Sequence, residues 1–289
     1  MLFQLFLNTL IVGSEYGLIA MAFRLMYSVS PFFNMTLGAI VAFSSYLMFS
    51  FATYTSIPLV FAMLLVVFIS ALFSYLLEAG IYTPMRSKGA SSMILLVASL
   101  GVYTIFEAVV QLVFGPEYKN LTPVNQTSVF NILGQSVPLV QIVSIVCNFA
   151  IFFGLKYLLE KSFVGKMVRA VNDSSTLSNI IGIDNNKIIL LISLLVGAIL
   201  GISGILVGYD TGMQPNMGFD LLFKGMIGAI IGGLANLRGA FLGAFFLAFA
   251  ENLGVWAFAS EWRNLVAFVI FIVFLSLRPK GIFQKKERG

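Results

Sequence analysis

Charged side chains stand inside long apolar stretches of this sequence, where a lipid bilayer would make them costly. A charged group at the centre of a membrane costs several kcal/mol unless a partner or water offsets its burial. We therefore expect these groups to face a hydrated path through a helix bundle, with a position at the membrane interface as the alternative for each. The charged candidates are Glu15, Glu107, Lys224 and Glu251. Asn34, close to Pro31, is a further candidate for lining such a path.

The inventory of reactive residues argues against an intramembrane enzyme. The sequence has no histidine and a single cysteine, Cys147, within an apolar run. Zinc and haem sites draw most of their ligands from His and Cys, and imidazole is the commonest acid–base catalyst near neutral pH. We therefore expect no catalytic residue, no metal and no cofactor.

The elements that position the charged groups must be membrane-spanning helices. The 289-residue chain is 59% hydrophobic and only 10% charged, whereas a soluble domain carries about a quarter charged residues. Its apolar runs reach the roughly 20 residues that a helix needs to cross hydrocarbon. We predict an all-α polytopic transmembrane helix bundle of about eight to ten spans, with short or broken Gly-rich helices, in a single domain over residues 1–289.

The apolar runs place the individual spans. The candidates cover residues 3–24, 31–52, 58–80, 91–114, 138–158, 188–208, 220–236, 239–255 and 263–278. The stretch 28–38 contains Pro31 and Gly38. These residues allow a tight turn, a broken helix or a re-entrant segment at that point.

Basic residues predict the orientation of the spans. Most of the 17 Lys and Arg residues fall in residues 84–90, residues 156–187, Arg238 and the tail from Arg278. Cytoplasmic segments of membrane proteins are enriched in these residue types. We therefore place these segments and the basic tail 279–289 in the cytoplasm, which puts the N-terminus outside. The net charge of +5 suits contact with anionic membrane lipid and needs no nucleic-acid partner.

Glycine is concentrated in the third quarter of the chain. Residues 197–243 contain 12 of the 26 glycines, and small residues four apart let membrane helices approach closely. Such pairs are Gly197/Gly201, Gly204/Gly208, Gly228/Gly232 and Gly239/Gly243. The pattern also predicts two short apolar halves, 225–237 and 239–250, separated by Arg238. Short, Gly-interrupted helices are typical of transporter paths.

A polar island, "VRAVNDSSTLSNIIGID" at residues 168–184, separates two apolar runs. Asn172 and Asp173 can each cap the start of a helix, and Gly182 stands where a helix can end in a left-handed residue. Between them lies an apolar stripe of Leu177, Ile180 and Ile181. A helix of about two turns is not stable alone in water, so it must dock. Periodicity leaves open whether it docks on its own bundle, on lipid headgroups or on a cytoplasmic motor subunit.

Five segments, taken in order, carry a family resemblance. They are "GSEYGLIAMAFRLMYSV", "EAGIYTPMR", "GKMVRAVNDSSTLSNIIGIDNNKIILL", "MGFDLLFKGMIGAIIGGLANLRGAFLGAFFLAFAENL" and "VAFVIFIVFLSLRPKGIF". With these segments almost the whole chain resembles the permease subunits of bacterial ABC importers for branched-chain amino acids. The second segment is similar to the family's Glu-Arg-x-x-Tyr-Arg-Pro-x-Arg loop, and the third to its cytoplasmic loop.

The resemblance implies an importer of the bacterial cytoplasmic membrane, built from two permeases and two separate ABC ATPase subunits. An extracytoplasmic solute-binding protein would dock near residues 116–137 and 209–219. In such permeases a loop helix docks on the ATPase, which implies a cytoplasmic coupling loop at 160–187. The coupling residues carried over are Asn172, Asp173, Leu177, Ile180, Ile181 and Gly182. Motion of this helix would then rock spans 188–255.

The sequence departs from the family pattern at three places. "NMTLGA" keeps Asn34 and Gly38 but lacks a His and a Glu, "TPM" lacks an Arg, and the acidic opening of the docking helix is changed around Asn172. These departures leave the solute open among branched-chain amino acids, other amino acids, urea and short amides. The second permease is either another copy or a similar chain. A stand-alone secondary transporter or channel remains the alternative.

Overall fold

A computed structural model describes residues 2–121, 129–132, 135–234, 236–257, 262–277 and 281–282. The first five helices are α1 (Leu2–Val29), α2 (Thr36–Tyr54), α3 (Leu59–Leu77), α4 (Thr83–Ser87) and α5 (Ser92–Phe114), with a π-helical turn, Glu78–Tyr82, between α3 and α4. An antiparallel hairpin follows, β1 (Val129–Ile132) and β2 (Gln135–Pro138). The later helices are α6 (Leu139–Lys161), α7 (Phe163–Asp173), α8 (Ser175–Ile180), α9 (Asn185–Asp210), α10 (Met217–Gly232), α11 (Leu237–Ala257) and α12 (Arg263–Leu277).

The prediction of an all-α polytopic transmembrane bundle is confirmed. Within the described residues, seven helical segments are long and apolar enough to cross a membrane. They are Phe3–Val29, Thr36–Tyr54, Leu59–Ser87, Ser92–Phe114, Leu139–Lys161, Asn185–Asp210 and Leu237–Ala257. The other two predicted spans correspond to the shorter helices α10 and α12, of 16 and 15 residues.

The chain is interrupted between α1 and α2 as the sequence suggested. Residues 30–35 form a short non-helical link around Pro31 between two long helices. The side-chain oxygen of Asn34 accepts a hydrogen bond from the backbone N–H of Thr36 at 3.0 Å. An Asn side chain that bonds the backbone two residues ahead stabilises a turn, so Asn34 fixes the link where α2 begins.

Two predicted boundaries are wrong. The helix that begins at Leu59 does not stop near residue 80 but continues through the π-helical turn to Ser87. In the Gly-rich region α10 already ends at Gly232 and α11 begins at Leu237, so the break does not lie at Arg238, which belongs to the first turn of α11. Gly233 has a φ of +98°, a conformation that glycine adopts without steric cost. As a result α11 is a full-length helix of 21 residues, not a short half.

The chain divides into two compact units. The first comprises Met1–Arg24, Asn125–Phe152 and Leu221–Gly289, and the second comprises Leu25–Val124 and Phe153–Asp220. Whether the whole chain works as a single domain stays a prediction. Of the predicted tail 279–289, only residues 281 and 282 are among those described.

Glycines bring helices together within each unit, as the sequence predicted. In the second unit α9 packs against α2 and α3, where Gly197 faces Ser74 and Gly204 faces Ser44. In the first unit α10 meets α11 through glycine on both sides. The contacting positions there are Gly228 with Ala244, Gly232 with Gly239 and Gly243 with Gly228. A side chain at any of these positions would collide with its neighbour, so glycine sets the helix separation.

Candidate functional site

Lys224 and Glu251, two of the predicted path residues, meet in the first unit. The Lys224 ammonium lies 3.4 Å from the Glu251 carboxylate. Tyr16 completes the cluster, since its hydroxyl donates to Glu251 at 3.0 Å and accepts from Lys224 at 3.0 Å. The Glu251 side chain is 1% exposed and that of Lys224 12% exposed. Each charge is therefore compensated, as burial inside a membrane protein requires.

Further polar contacts lie along α1 in the same unit. The side-chain amide of Asn252 donates to the Thr9 hydroxyl at 3.3 Å, and that of Asn148 donates to the Ser14 hydroxyl at 3.1 Å. Together with Tyr16, these residues join α1 to α6 and α11 by hydrogen bonds. Glu15, predicted to line a path, is also buried on α1, at the position before Tyr16.

The other predicted path residues lie in the second unit. Asn34 is buried in the link between α1 and α2. Glu107 is half-buried on α5, where its carboxylate accepts a hydrogen bond from the Gln111 amide at 3.3 Å. Of the five predicted residues, Lys224 and Glu251 are thus in direct contact.

A second charged cluster, which the prediction of path residues missed, surrounds the π-helical turn. Glu78 forms an ion pair with Arg86, and Arg86 also donates to the Ser30 hydroxyl at 2.6 Å. Tyr82 shares a hydrogen bond with Thr36. The sequence segment that could have revealed this cluster is "EAGIYTPMR", because its Glu, Tyr and Arg make these contacts. The basic residues predict a cytoplasmic position for residues 84–90, which include the end of this segment.

A small polar cavity adjoins this cluster. Its polar lining comes from Asn34, Thr36, Ser74, Glu78, Tyr82 and Ser193. Its volume of about 10 Å³ is close to the space that one water molecule needs. One oxygen of the buried Glu78 carboxylate has no hydrogen-bond partner among the described residues. A water molecule would satisfy that oxygen, and π-helical turns are frequent at functional sites.

A short helix, α8, lies within the predicted coupling loop, but its start differs from the prediction. Asn172 and Asp173 are the last residues of α7, a helix that the sequence analysis did not anticipate. The N-cap of α8 is Ser174, whose hydroxyl accepts from the Leu177 N–H at 3.2 Å. The predicted caps are therefore wrong, because α7 extends through both residues before the chain turns.

The predicted end of α8 at Gly182 is confirmed. Gly182 has a φ of +85°, and its N–H donates to the Asn179 carbonyl at 3.1 Å. The next N–H, of Ile183, donates to the Ser178 carbonyl at 2.9 Å. This pair of bonds is a Schellman motif. A further hydrogen bond of 2.7 Å joins the side chains of Ser178 and Asn185, which ties α8 to the start of α9.

The apolar stripe of α8 points away from the chain. Leu177, Ile180 and Ile181 are 63%, 74% and 71% exposed, whereas Ser178 is buried. A helix that rested on its own bundle would show the reverse pattern. The interpretation in which α8 packs on its own bundle is therefore wrong for this surface.

Long apolar helices, charge clusters buried between them and close glycine packing define a polytopic membrane permease. Comparison with known families agrees with this class. The chain belongs to the family described as branched-chain amino acid transport system / permease component, which matches residues 5–275.

Individual relatives are similar over nearly the full chain. The high-affinity branched-chain amino acid transport system permease protein BraD of Pseudomonas aeruginosa is 29% identical, over 98% of this chain and 96% of the relative. The corresponding protein LivH of Escherichia coli K12 is 25% identical, over 98% and 96%. Among solved structures, PsaBC from Streptococcus pneumoniae in complex with Fab aligns with a TM-score of 0.52 at 14% identity, covering 94% of this chain and 91% of that one. That likeness supports the fold alone.

Proposed function

We propose that this chain is the membrane-spanning subunit of an ABC importer that passes a branched-chain amino acid or a similar small polar solute. Membership of the permease family supports this reading, as do relatives whose names specify branched-chain amino acid transport. Separate ATPase subunits hydrolyse the ATP, and a second permease subunit completes the path. An extracytoplasmic binding protein delivers the solute.

The observation that carries this proposal is the outward-facing apolar stripe of α8. Three large apolar side chains of α8 are exposed to solvent. Backbone and side-chain hydrogen bonds fix both ends of this helix. Burial contributes about 1.5–3 kcal/mol for each such side chain. A groove on an ATPase subunit would supply that burial, and the stiff ends of α8 would pass its movement to α9.

Polar residues within each unit are our candidates for lining a path. Glu15, Lys224 and Glu251 in the first unit, and Asn34 and Glu107 in the second, are the residues we assign to it. The Lys224–Glu251 cluster is neutral as a whole but presents both signs of charge. A zwitterionic amino acid also carries both signs, so such a surface complements it without leaving a net buried charge.

The proposed orientation places α7, α8 and the start of α9 in the cytoplasm of a bacterial cell and the N-terminus outside. The segment around Lys119 and the link after α9 are then extracytoplasmic. Lys119 and Met213 exchange backbone hydrogen bonds of 2.9 and 2.7 Å within the second unit. These joined segments are the proposed docking surface for the binding protein.

A charge placed on the apolar stripe tests the proposal. We expect the double substitution Ile180→Asp and Ile181→Asp to reduce recovery of the ATPase with this chain by about tenfold or more, because a carboxylate cannot be buried unpaired. Uptake of radiolabelled leucine should fall with it, in cells that express the full importer. The measurements are copurification from detergent and uptake rate, at equal permease content in the membrane.

The matched control is Asn186→Asp, which adds a carboxylate to the exposed first turn of α9 beside the stripe. We expect normal recovery and uptake, since an acidic residue suits a helix N-terminus. Full recovery and uptake with both isoleucines replaced would overturn the docking role of α8. Transport by the purified chain alone in vesicles, with no ATPase present, would overturn the importer itself.

A further inference from the structure

A polar pocket in the first unit is separate from both charge clusters. It has a volume of about 240 Å³, and the first turns of α1, the last turns of α11 and the start of α12 form its walls. Its lining residues are Gln4, Leu5, Asn8, Asn252, Val255, Trp256 and Arg263. A single water molecule needs only about 10–15 Å³ of such space, so the pocket has ample room for a small charged group.

The chemistry of the lining favours an oxyanion. Three carboxamides and one guanidinium supply hydrogen-bond donors, and the lining residues that the structure describes include no carboxylate. Arg263 forms no ion pair with any residue that the structure describes. Guanidinium binds carboxylate and phosphate through paired, charge-assisted hydrogen bonds. We propose that this pocket binds an oxyanion through Arg263, either the phosphate of an anionic phospholipid or the carboxylate of a small solute.

The surroundings of Arg263 place the pocket at the membrane surface. Both tryptophans of the chain are close to it in sequence or space: Trp256 lines the pocket and Trp262 precedes Arg263. They are 61% and 49% exposed. Tryptophan concentrates at the membrane–water interface, where basic residues attract anionic headgroups. A lipid phosphate is therefore available at the depth of this pocket, and a dissolved carboxylate reaches it from water.

Asn252 shows that the pocket is held in shape. Its side-chain amide is tied to Thr9 on α1, and the residue before it is Glu251 of the buried charge cluster. Glu251 forms its close ion pair with Lys224, and Arg263 acts on that carboxylate only at longer range. The inference rests on this geometry and does not depend on ATP, on partner subunits or on the identity of the transported solute.

Tryptophan fluorescence tests the proposal directly, because the chain has two tryptophans and one of them lines the pocket. Trp262→Phe leaves Trp256 as the only indole of the full-length chain, and brominated lipids quench a tryptophan that they touch. In phosphatidylcholine vesicles, we expect brominated phosphatidylglycerol to quench Trp256 at a lipid fraction about tenfold lower than brominated phosphatidylcholine does. Adding Arg263→Gln should make the two quenching curves coincide. Lys88→Gln removes an exposed charge elsewhere and should leave the preference unchanged.

Solutes are tested in vesicles of phosphatidylcholine alone. A saturable change in Trp256 emission on adding acetate or L-leucine, absent in Arg263→Gln, would assign the site to a carboxylate. A preference for phosphatidylglycerol without a solute response would assign it to lipid phosphate. Equal quenching by the two brominated lipids together with no solute response, in the chain that keeps Arg263, would overturn the proposal. That comparison needs no substitution in the pocket cation, so misfolding of a variant cannot obscure it.

Discussion

Glu251 and Glu78 are carboxylates buried among membrane helices, and each forms an ion pair with a basic side chain. Glu251 pairs with Lys224, and Glu78 pairs with Arg86. Such a pair adds little net stability, because both charges lose their hydrating water on burial. Removing one partner nevertheless leaves the other charge buried without its counter-ion. The Lys224–Glu251 pair therefore fixes which helices meet more than it stabilises the fold. For Glu251 the elements are α10, α11 and, through Tyr16, α1.

The Lys224–Glu251 pair gives a prediction at the residue scale. Lys224→Met should lower the free energy of unfolding by about 3–5 kcal/mol, because a buried carboxylate is left without its cation. Glu251→Gln should lower the free energy of unfolding by a similar amount, because the Lys224 ammonium loses its carboxylate partner. The double variant should be much closer to the parent, since neither charge remains. Thermal melting of the detergent-solubilised chain measures all three, and additive losses in the double variant would contradict the pairing.

Single residues also mark where sequence reasoning succeeded and where it failed. The burial of Lys224 and Glu251 was predictable, because a charge in an apolar stretch must be compensated. Their contact with Tyr16 was not, since hydrogen bonds between positions 16 and 251 depend on how distant helices pack. Glu78 and Arg86 were missed because they lie next to the end of an apolar run, where a polar residue is usually at the surface.

At the element scale, helix existence was predicted better than helix ends. Long apolar runs define a span by its length alone. Ends depend on local hydrogen bonds that composition does not show, such as the cap by Ser174 in place of Asn172 or Asp173. The π-helical turn at Glu78–Tyr82 extends a span past residues that resembled a loop. The Gly pairs were informative because their spacing is itself the packing requirement.

The C-terminal end of α8 gives a prediction at this scale. Gly182→Val forces a branched side chain into a left-handed conformation, which costs about 1–2 kcal/mol, a factor of about 5–30 in the population of the capped helix. We expect leucine uptake and transport-linked ATP hydrolysis by the assembled importer to fall by a comparable factor. The amount of folded permease should stay unchanged, because Gly182 is exposed and a Cβ added there would meet no atom of the described residues within 4 Å.

Gly89 provides the control for backbone strain. Its φ is +79°, and a side chain there would also meet open space. Gly89→Val thus imposes the same strain in a different turn, and we expect uptake close to that of the parent. If Gly89→Val and Gly182→Val reduce uptake equally, the loss reports general strain, and the specific role of the α8 cap is refuted.

Across the whole molecule, the helices differ in how much surface they leave open. We compare the most apolar 18-residue stretch of each span. In Phe3–Val29 and in Asn185–Asp210, 67% of the residues in that stretch are buried. The values fall to 22% for Ser92–Phe114 and 17% for Leu139–Lys161. An apolar helix with so little burial must meet lipid or another protein within the membrane. Such surfaces suit a chain that pairs with a second permease, either another copy or a similar chain.

The proposed orientation yields the prediction that concerns the whole molecule. It follows from the basic residues of the cytoplasmic side, and it determines which face meets the ATPase. Cys147 is the only cysteine, so Cys147→Ser provides a background without thiols. In that background, Glu117→Cys and Lys187→Cys each place one thiol at an exposed position on opposite predicted sides.

Labelling intact spheroplasts with a membrane-impermeant maleimide then shows on which side of the membrane each thiol lies. We expect Glu117→Cys to react from outside, and Lys187→Cys to react only after the membrane is opened, because the bilayer separates the two thiols. Uptake of leucine by each variant checks that the labelled chains are assembled. The reverse labelling pattern would place α8 outside the cell. Since ATP and the ATPase are cytoplasmic, α8 could then have no coupling role, even if the chain remained a permease.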